Sequence, residues 1–146
     1  MKKNLFILLG IFIVIITILF YFYINYRNVE LQALKLNKEY EMYTKDEILG
    51  SSLITVINKA IDQNEKNGIE KDEKNRYISN DKNSIIIEVK FLESDKTFTM
   101  EAISKLGTDQ FIKNYSNRKF KCTKEEHHSK TNYIKYLLFE EIQARN

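Results

Sequence analysis

The 146-residue sequence contains no proline, one cysteine and only four glycines. A single cysteine, Cys122, excludes a disulfide framework and a cysteine zinc site. Glycines at 10, 50, 68 and 107 are too scattered for a glycine-rich phosphate loop. Charge of one sign is also scarce. Lys and Arg number 23 against 20 Asp and Glu, and Lys2 and Lys3 precede everything else. The remainder carries a net +1, so a nucleic-acid partner, which needs a concentrated basic face, is not expected.

The sequence does hold one uncharged run of 20 residues, Leu5 to Ile24. As a helix it is about 30 Å long, the thickness of a bilayer's hydrocarbon core. In lipid every backbone group must bond internally, which leaves a lone span no alternative to helix. Phe20, Tyr21, Phe22, Tyr23 and Tyr26 cluster at one end, as an interfacial aromatic belt would. The reading is a membrane span over 5–25, with the lipid bilayer as its first partner. A cleaved signal peptide is the competing reading. It fits less well, because the run exceeds the usual 7–15 apolar residues and no small-residue cleavage site follows. Lys2 and Lys3 flank the span directly and favour a cytoplasmic N-terminus, residues 1–4, with the rest outside the plasma membrane.

About 120 residues remain, enough for one small core. Tyr26, Val29, Ala33, Leu36, Tyr40 and Tyr43 recur at spacings of three and four, a seam on one helical face. Such a stalk helix would cover 26–49. The seam is too short for a coiled coil and suits packing on the protein's own domain better than dimerisation.

Gly50 interrupts, and Ser51 or Ser52 can cap a second helix carrying Leu53, Val56, Ile57, Ala60 and Ile61. Gly68 suits its stop. A polar loop over 65–83 surrounds a short strand at Tyr77–Ser79. The clearest strand follows, with Ile85, Ile87, Val89 and Phe91 on one face. Residues 93–96 form a turn, and Thr97–Thr99 pairs back.

Two short helices come next: Met100–Leu106 closed by Gly107, and Asp109–Tyr115 capped by Thr108. A last hairpin pairs Lys119–Glu126 with Tyr133–Glu140, and Ile134, Tyr136 and Leu138 are core candidates. Helices followed by strands indicate an α+β class. The expected architecture is a transmembrane helix extended into an amphipathic one, a second helix and about four antiparallel strands, with the extracytoplasmic domain over 50–146.

Chemical motifs are sparse. Cys122 and His127 or His128 would make a thiol–imidazole dyad, but five or six residues of strand separate them by roughly 17–20 Å. Cys122 reads instead as a small buried residue beside Phe120. His127 and His128 point to opposite strand faces and read as a solvated hairpin end. The stretch from Asp62 resembles a calcium loop, yet its register fails: Gly68 falls at position 7 and Lys66 where an oxygen ligand belongs. No catalytic, cofactor or metal site is therefore expected, and an enzyme is disfavoured.

One charge feature stands out. Lys113, Arg118, Lys119, Lys121, Lys124, Lys130 and Lys135 face only two acids within 113–135, a net +5. This basic hairpin suits an anionic surface polymer or lipid head groups. Lysines that guard a sheet edge against further pairing are the favoured reading.

The layout of one N-terminal span running into an amphipathic helix and then a sheet resembles type IV pilin-like and pseudopilin proteins. The family's processing signature is absent: Gly10 is followed by Ile11, and no glutamate lies in 5–24. No site residue is carried over. The stretch ILGSSLITVINKAIDQNEKNGIEKDEKNRYISNDKNSIIIEV, with FKCTKEEHH and KYLLFEE, is also similar to uncharacterised small single-pass membrane proteins of AT-rich Gram-positive bacteria. The pilin resemblance implies structural or interaction work with protein partners in an envelope assembly. A tethered ligand-binding or inhibitory module with a cystatin-like helix-plus-sheet domain is the alternative.

Overall fold

The structure, a computed structural model, describes residues 2–94 and 96–143, with side chains from Asn4. Met1, part of the expected cytoplasmic N-terminus, and Asp95, part of the expected 93–96 turn, lie outside the described residues, as do 144–146. The chain forms two compact units, Met1–Gln32 and Ala33–Asn146.

From Lys2 onward the first unit is helical and belongs to α1 (Lys2–Thr44). Every side chain from Asn4 to Val29 is exposed. The mean hydropathy reaches 3.1 over 18 residues, which makes α1 long and apolar enough to cross a membrane. The hydroxyl of Thr17 donates to the Ile13 carbonyl at 2.8 Å, so this polar group is satisfied within the helix.

The second unit is α+β. α1 ends at Thr44, five residues short of the stalk boundary expected at Leu49. The difference comes from β1 (Ile48–Leu49), which pairs with Lys119 and Phe120 and pulls the chain out of helix. Two residues are too few to show an alternation, so this strand has no sequence signature.

α2 (Gly50–Lys66) follows at once. Neither Ser51 nor Ser52 caps it; Leu49 holds the N-cap with no side-chain bond. Carbonyls from a neighbouring segment take over. Gly50 N–H donates to Arg118 O at 2.9 Å and Ser51 N–H to Ser116 O at 3.3 Å, satisfying donors that a helix start leaves open. At the other end Gly68, with φ +63°, turns the chain, and the Gly68 and Ile69 amides bond back to Glu65 and Asn64 carbonyls.

The chain then forms β2 (Ile86–Lys90), β3 (Thr97–Thr99), α3 (Met100–Leu106), α4 (Thr108–Tyr115), β4 (Lys119–His127) and β5 (Ile134–Ile142). α3 is capped by the Thr99 hydroxyl. α4 begins at Thr108 itself, without the side-chain cap expected there.

The sheet has five strands rather than four, in the order β1-β4-β5-β2-β3, and it is mixed rather than antiparallel. β2 and β5 run parallel, Ile86 opposite Tyr136 through Lys90 opposite Glu140. The expected strand at 77–79 is only a bridge between Lys71 and Tyr77.

α2 packs its apolar stripe on one face of this sheet. Leu53, Val56, Ile57 and Ala60 are fully buried with Ile87, Val89, Phe120, Leu137 and Phe139. The alternation of β2 reads correctly, since Ile85, Ile87, Val89 and Phe91 are all buried. On β5 Ile134 is buried, but Leu137 and Phe139 fill the core in place of Tyr136 and Leu138. The register explains the switch: His127 pairs with Ile134 and Glu126 with Tyr136, so an extra residue, Lys135, bulges out and reverses the parity beyond it.

Candidate functional site

The residues singled out in the sequence do not converge. In the seam, Tyr26 and Val29 are exposed, whereas Ala33 and Tyr40 are buried in the second unit. Leu36 and Tyr43 are partly buried against its core. Burial pushes the Tyr40 phenol far up, and its hydroxyl has no hydrogen-bond partner among the described residues. Glu39 meets Lys59 of α2 at 2.7 Å, which holds the Glu39 carboxyl below its usual value.

Three cations of the basic hairpin are paired with acids from elsewhere in the chain, and Lys124 with an acid of the hairpin itself. Arg118 contacts Glu93 and Glu141, each at 3.1 Å, and Lys119 contacts Glu47 at 3.2 Å. Lys124 pairs with Glu126 at 2.6 Å and Lys130 approaches Asp81 to 3.9 Å. Lys121 stands opposite Glu140 across the β4–β5 ladder. Lys135 adds to the field that keeps Glu126 low, a shift led by its bond to Lys124. Lys113 is exposed on α4. A count restricted to 113–135 omits Glu47, Asp81, Glu93 and Glu141, and so overstates the field.

β4 is also an open sheet edge beyond Phe120, since β1 covers only Lys119 and Phe120. It carries a bulge at Thr123 between Lys121 and Lys124, a combination that discourages a further strand.

Cys122 and the histidines are engaged separately. The Cys122 thiol is half-buried and donates to Lys124 O at 3.4 Å. Burial, with Glu125 adding, pushes it up to about 11, which leaves little thiolate at neutral pH. His127 Nε2 lies 3.1 Å from Glu125. His128 is 3% exposed, not solvated as expected: its Nε2 donates to Ser84 O at 2.8 Å, pinning the end of β4 to the segment before β2. Among the described residues, no three His, Cys, Asp or Glu side chains come together as a metal site.

What the structure does assemble is a cleft of about 570 Å³ in the second unit. Glu65 of α2 forms one wall, the 71–77 loop a second, and Glu101, Ser104 and Lys105 of α3 a third. Asp72 builds the loop: its Oδ1 accepts from Lys74 N and Arg76 N at 2.9 and 2.8 Å. Its Oδ2 accepts from Arg76 Nε and Nη2 at 2.9 and 2.7 Å. These bonds, the Arg76 amide first and its guanidinium next, hold the Asp72 carboxyl below its ordinary value. Asn75 completes the turn at φ +63°.

Tyr77 ties the loop to both helices. Its N–H donates to Glu101 Oε1 at 2.9 Å, and its hydroxyl reaches Glu65 Oε1 at 3.3 Å. The Lys71 ammonium sits 4.5 Å over the Tyr77 ring, and the Tyr77 side chain holds it above the usual lysine value. Burial raises the Tyr77 phenol in turn.

The sequence predicts only an exposed polar loop around a short strand here. The available signal was the turn chemistry of Asp72 and Asn75. Comparison with protein-family models, curated proteins and solved structures finds no match to this chain.

Proposed function

We propose that the protein is a non-enzymatic, single-pass membrane protein whose second unit does structural or interaction work in an envelope assembly, such as a pilus-like or secretion apparatus. One observation carries the anchor: the uncharged Leu5–Ile24 helix exposes its entire apolar surface. Monomeric soluble proteins keep apolar patches far smaller than this, and lipid is the surrounding that removes the cost. Lys2 and Lys3 favour the cytoplasmic side for the N-terminus and the outside for the second unit.

The core between α2 and the sheet is a continuous cluster of buried side chains. That favours an assembly role. The open cleft favours a second reading, a tethered ligand-binding module.

A thiol scan tests the anchor and its orientation. Cys122 is a poor reporter because it is half-buried and protonated. Lys130→Cys in a Cys122→Ser background places an exposed thiol at the tip of the last hairpin. The expected result is membrane fractionation and labelling by an impermeant maleimide in intact cells. Release of the chain by carbonate washing defeats the anchor, and labelling only after permeabilisation defeats the orientation.

A further inference from the structure

We propose that the cleft between the 71–77 loop and α3 binds a ligand through a phosphate group, held by the ammonium groups of Lys74 and Lys105. The proposal rests on the second reading above, a ligand-binding domain, and names its ligand class.

The argument is an accounting of charge. Lys71, Lys74, Arg76 and Lys105 line the cleft with two acids, Glu65 and Glu101. Glu101 accepts from the neutral Tyr77 amide and keeps its charge, whereas Glu65 meets Lys71 as well as the Tyr77 hydroxyl. Arg76 has turned its fork onto Asp72 through both Nε and Nη2. Lys74 and Lys105 have no acidic partner within 4 Å among the described residues. Two lysines without a bonded acid therefore approach one cleft from different elements, and against Glu101, the one acid there without a bonded cation, they leave a positive excess. In the basic hairpin, by contrast, most cations already have acids.

The donor set selects the ligand. A carboxylate is best read by a guanidinium fork, and the one guanidinium here is engaged. A phosphate has three or four oxygens that accept from point donors on several sides, which suits ammonium groups on flexible stems. The Ser104 hydroxyl lines the same wall and can add a donor. Tyr77 is 6% exposed, so the cleft offers no aromatic platform for a base. The phosphate is therefore expected on a polar body, such as a glycerol or sugar phosphate or a phospholipid head group.

The test uses the full chain, isotope-labelled, and reads backbone amide shifts at Tyr77, Glu101 and Ser104. In phosphate-free maltoside micelles, glycerol 1-phosphate is titrated beside acetate and glycerol. In a second arm the protein sits in phosphatidylglycerol nanodiscs without added ligand. Saturating shifts with glycerol 1-phosphate support a soluble ligand; shifts confined to the nanodiscs support a lipid head group. Lys74→Ala/Lys105→Ala is expected to weaken either response at least tenfold, and Lys82→Ala/Lys90→Ala to leave it unchanged. All four lysines are exposed, so both variants should fold. Equal shifts with acetate or glycerol overturn the phosphate assignment and leave the ligand-binding reading standing. No shift with any of them overturns both.

Discussion

Asn64 and Ile85 bond to each other twice. The buried Asn64 side chain donates through Nδ2 to Ile85 O at 2.7 Å and accepts from Ile85 N at 2.8 Å. One amide side chain thus replaces a strand partner for a buried residue just before β2, and ties the last turns of α2 to the sheet.

Removing that amide leaves a buried N–H and a buried C=O unpaired. Asn64→Ala should destabilise the second unit by about 2–4 kcal/mol. Asn64→Asp keeps the acceptor but sets an oxygen against Ile85 O, so it should fare no better. Urea unfolding in maltoside, followed by near-ultraviolet dichroism of the tyrosines, measures both. A loss below about 0.5 kcal/mol for either would contradict the double bond.

Gly50 is required for space rather than for an unusual backbone angle. A Cβ built there collides with the Tyr115 carbonyl at the end of α4. Gly50→Ala must force α2 and α4 apart, at about 1–3 kcal/mol. The same unfolding assay should show it, while Gly10→Ala, with open space around it, should leave the second unit unchanged.

Cys122 should react slowly. With its thiol near 11 against an ordinary value of 9.0, the thiolate fraction at pH 7 falls about a hundredfold. Disulfide-exchange reagents should therefore modify native protein at least that much more slowly than protein in urea. Equal rates would show the thiol to be exposed and unperturbed.

Acid should loosen the cleft. The folded Asp72 carboxyl titrates below its unfolded value, so its contribution is fully present above about pH 4 and is lost as pH falls through the lower folded value. Carbon-detected titration of Asp72 should give a value under 3.8, with the Lys74 and Arg76 amides shifting in step. A midpoint at or above 3.8 would remove Asp72 as the organiser of the loop.

Much of what depends on neighbours along the chain is legible in the sequence, although the helix caps expected at Ser51 or Ser52 and at Thr108 do not form. The alternation through Ile85, Ile87, Val89 and Phe91 marked both the strand and its buried face. Features set by distant partners were hidden. β1 exists because Phe120 and Lys119 lie beside it, and the parallel β2–β5 pairing joins segments about 50 residues apart. The Lys135 bulge turned a correct strand into a wrong choice of core residues. The cleft was hidden for the same reason, because its walls meet only after Tyr77 reaches Glu101 across 24 residues.

β5 occupies the middle of the sheet, although it follows the other four strands along the chain. The pairs β1 with β4 and β2 with β3 thus cannot join into one sheet until residues 134–142 take their place between them. Zippering must wait for that segment, and the long sequence separation of its parallel partner slows the closing step. A stop codon before Ile134 would leave two ribbons with bare edges, a species prone to clumping and to removal by quality-control proteases.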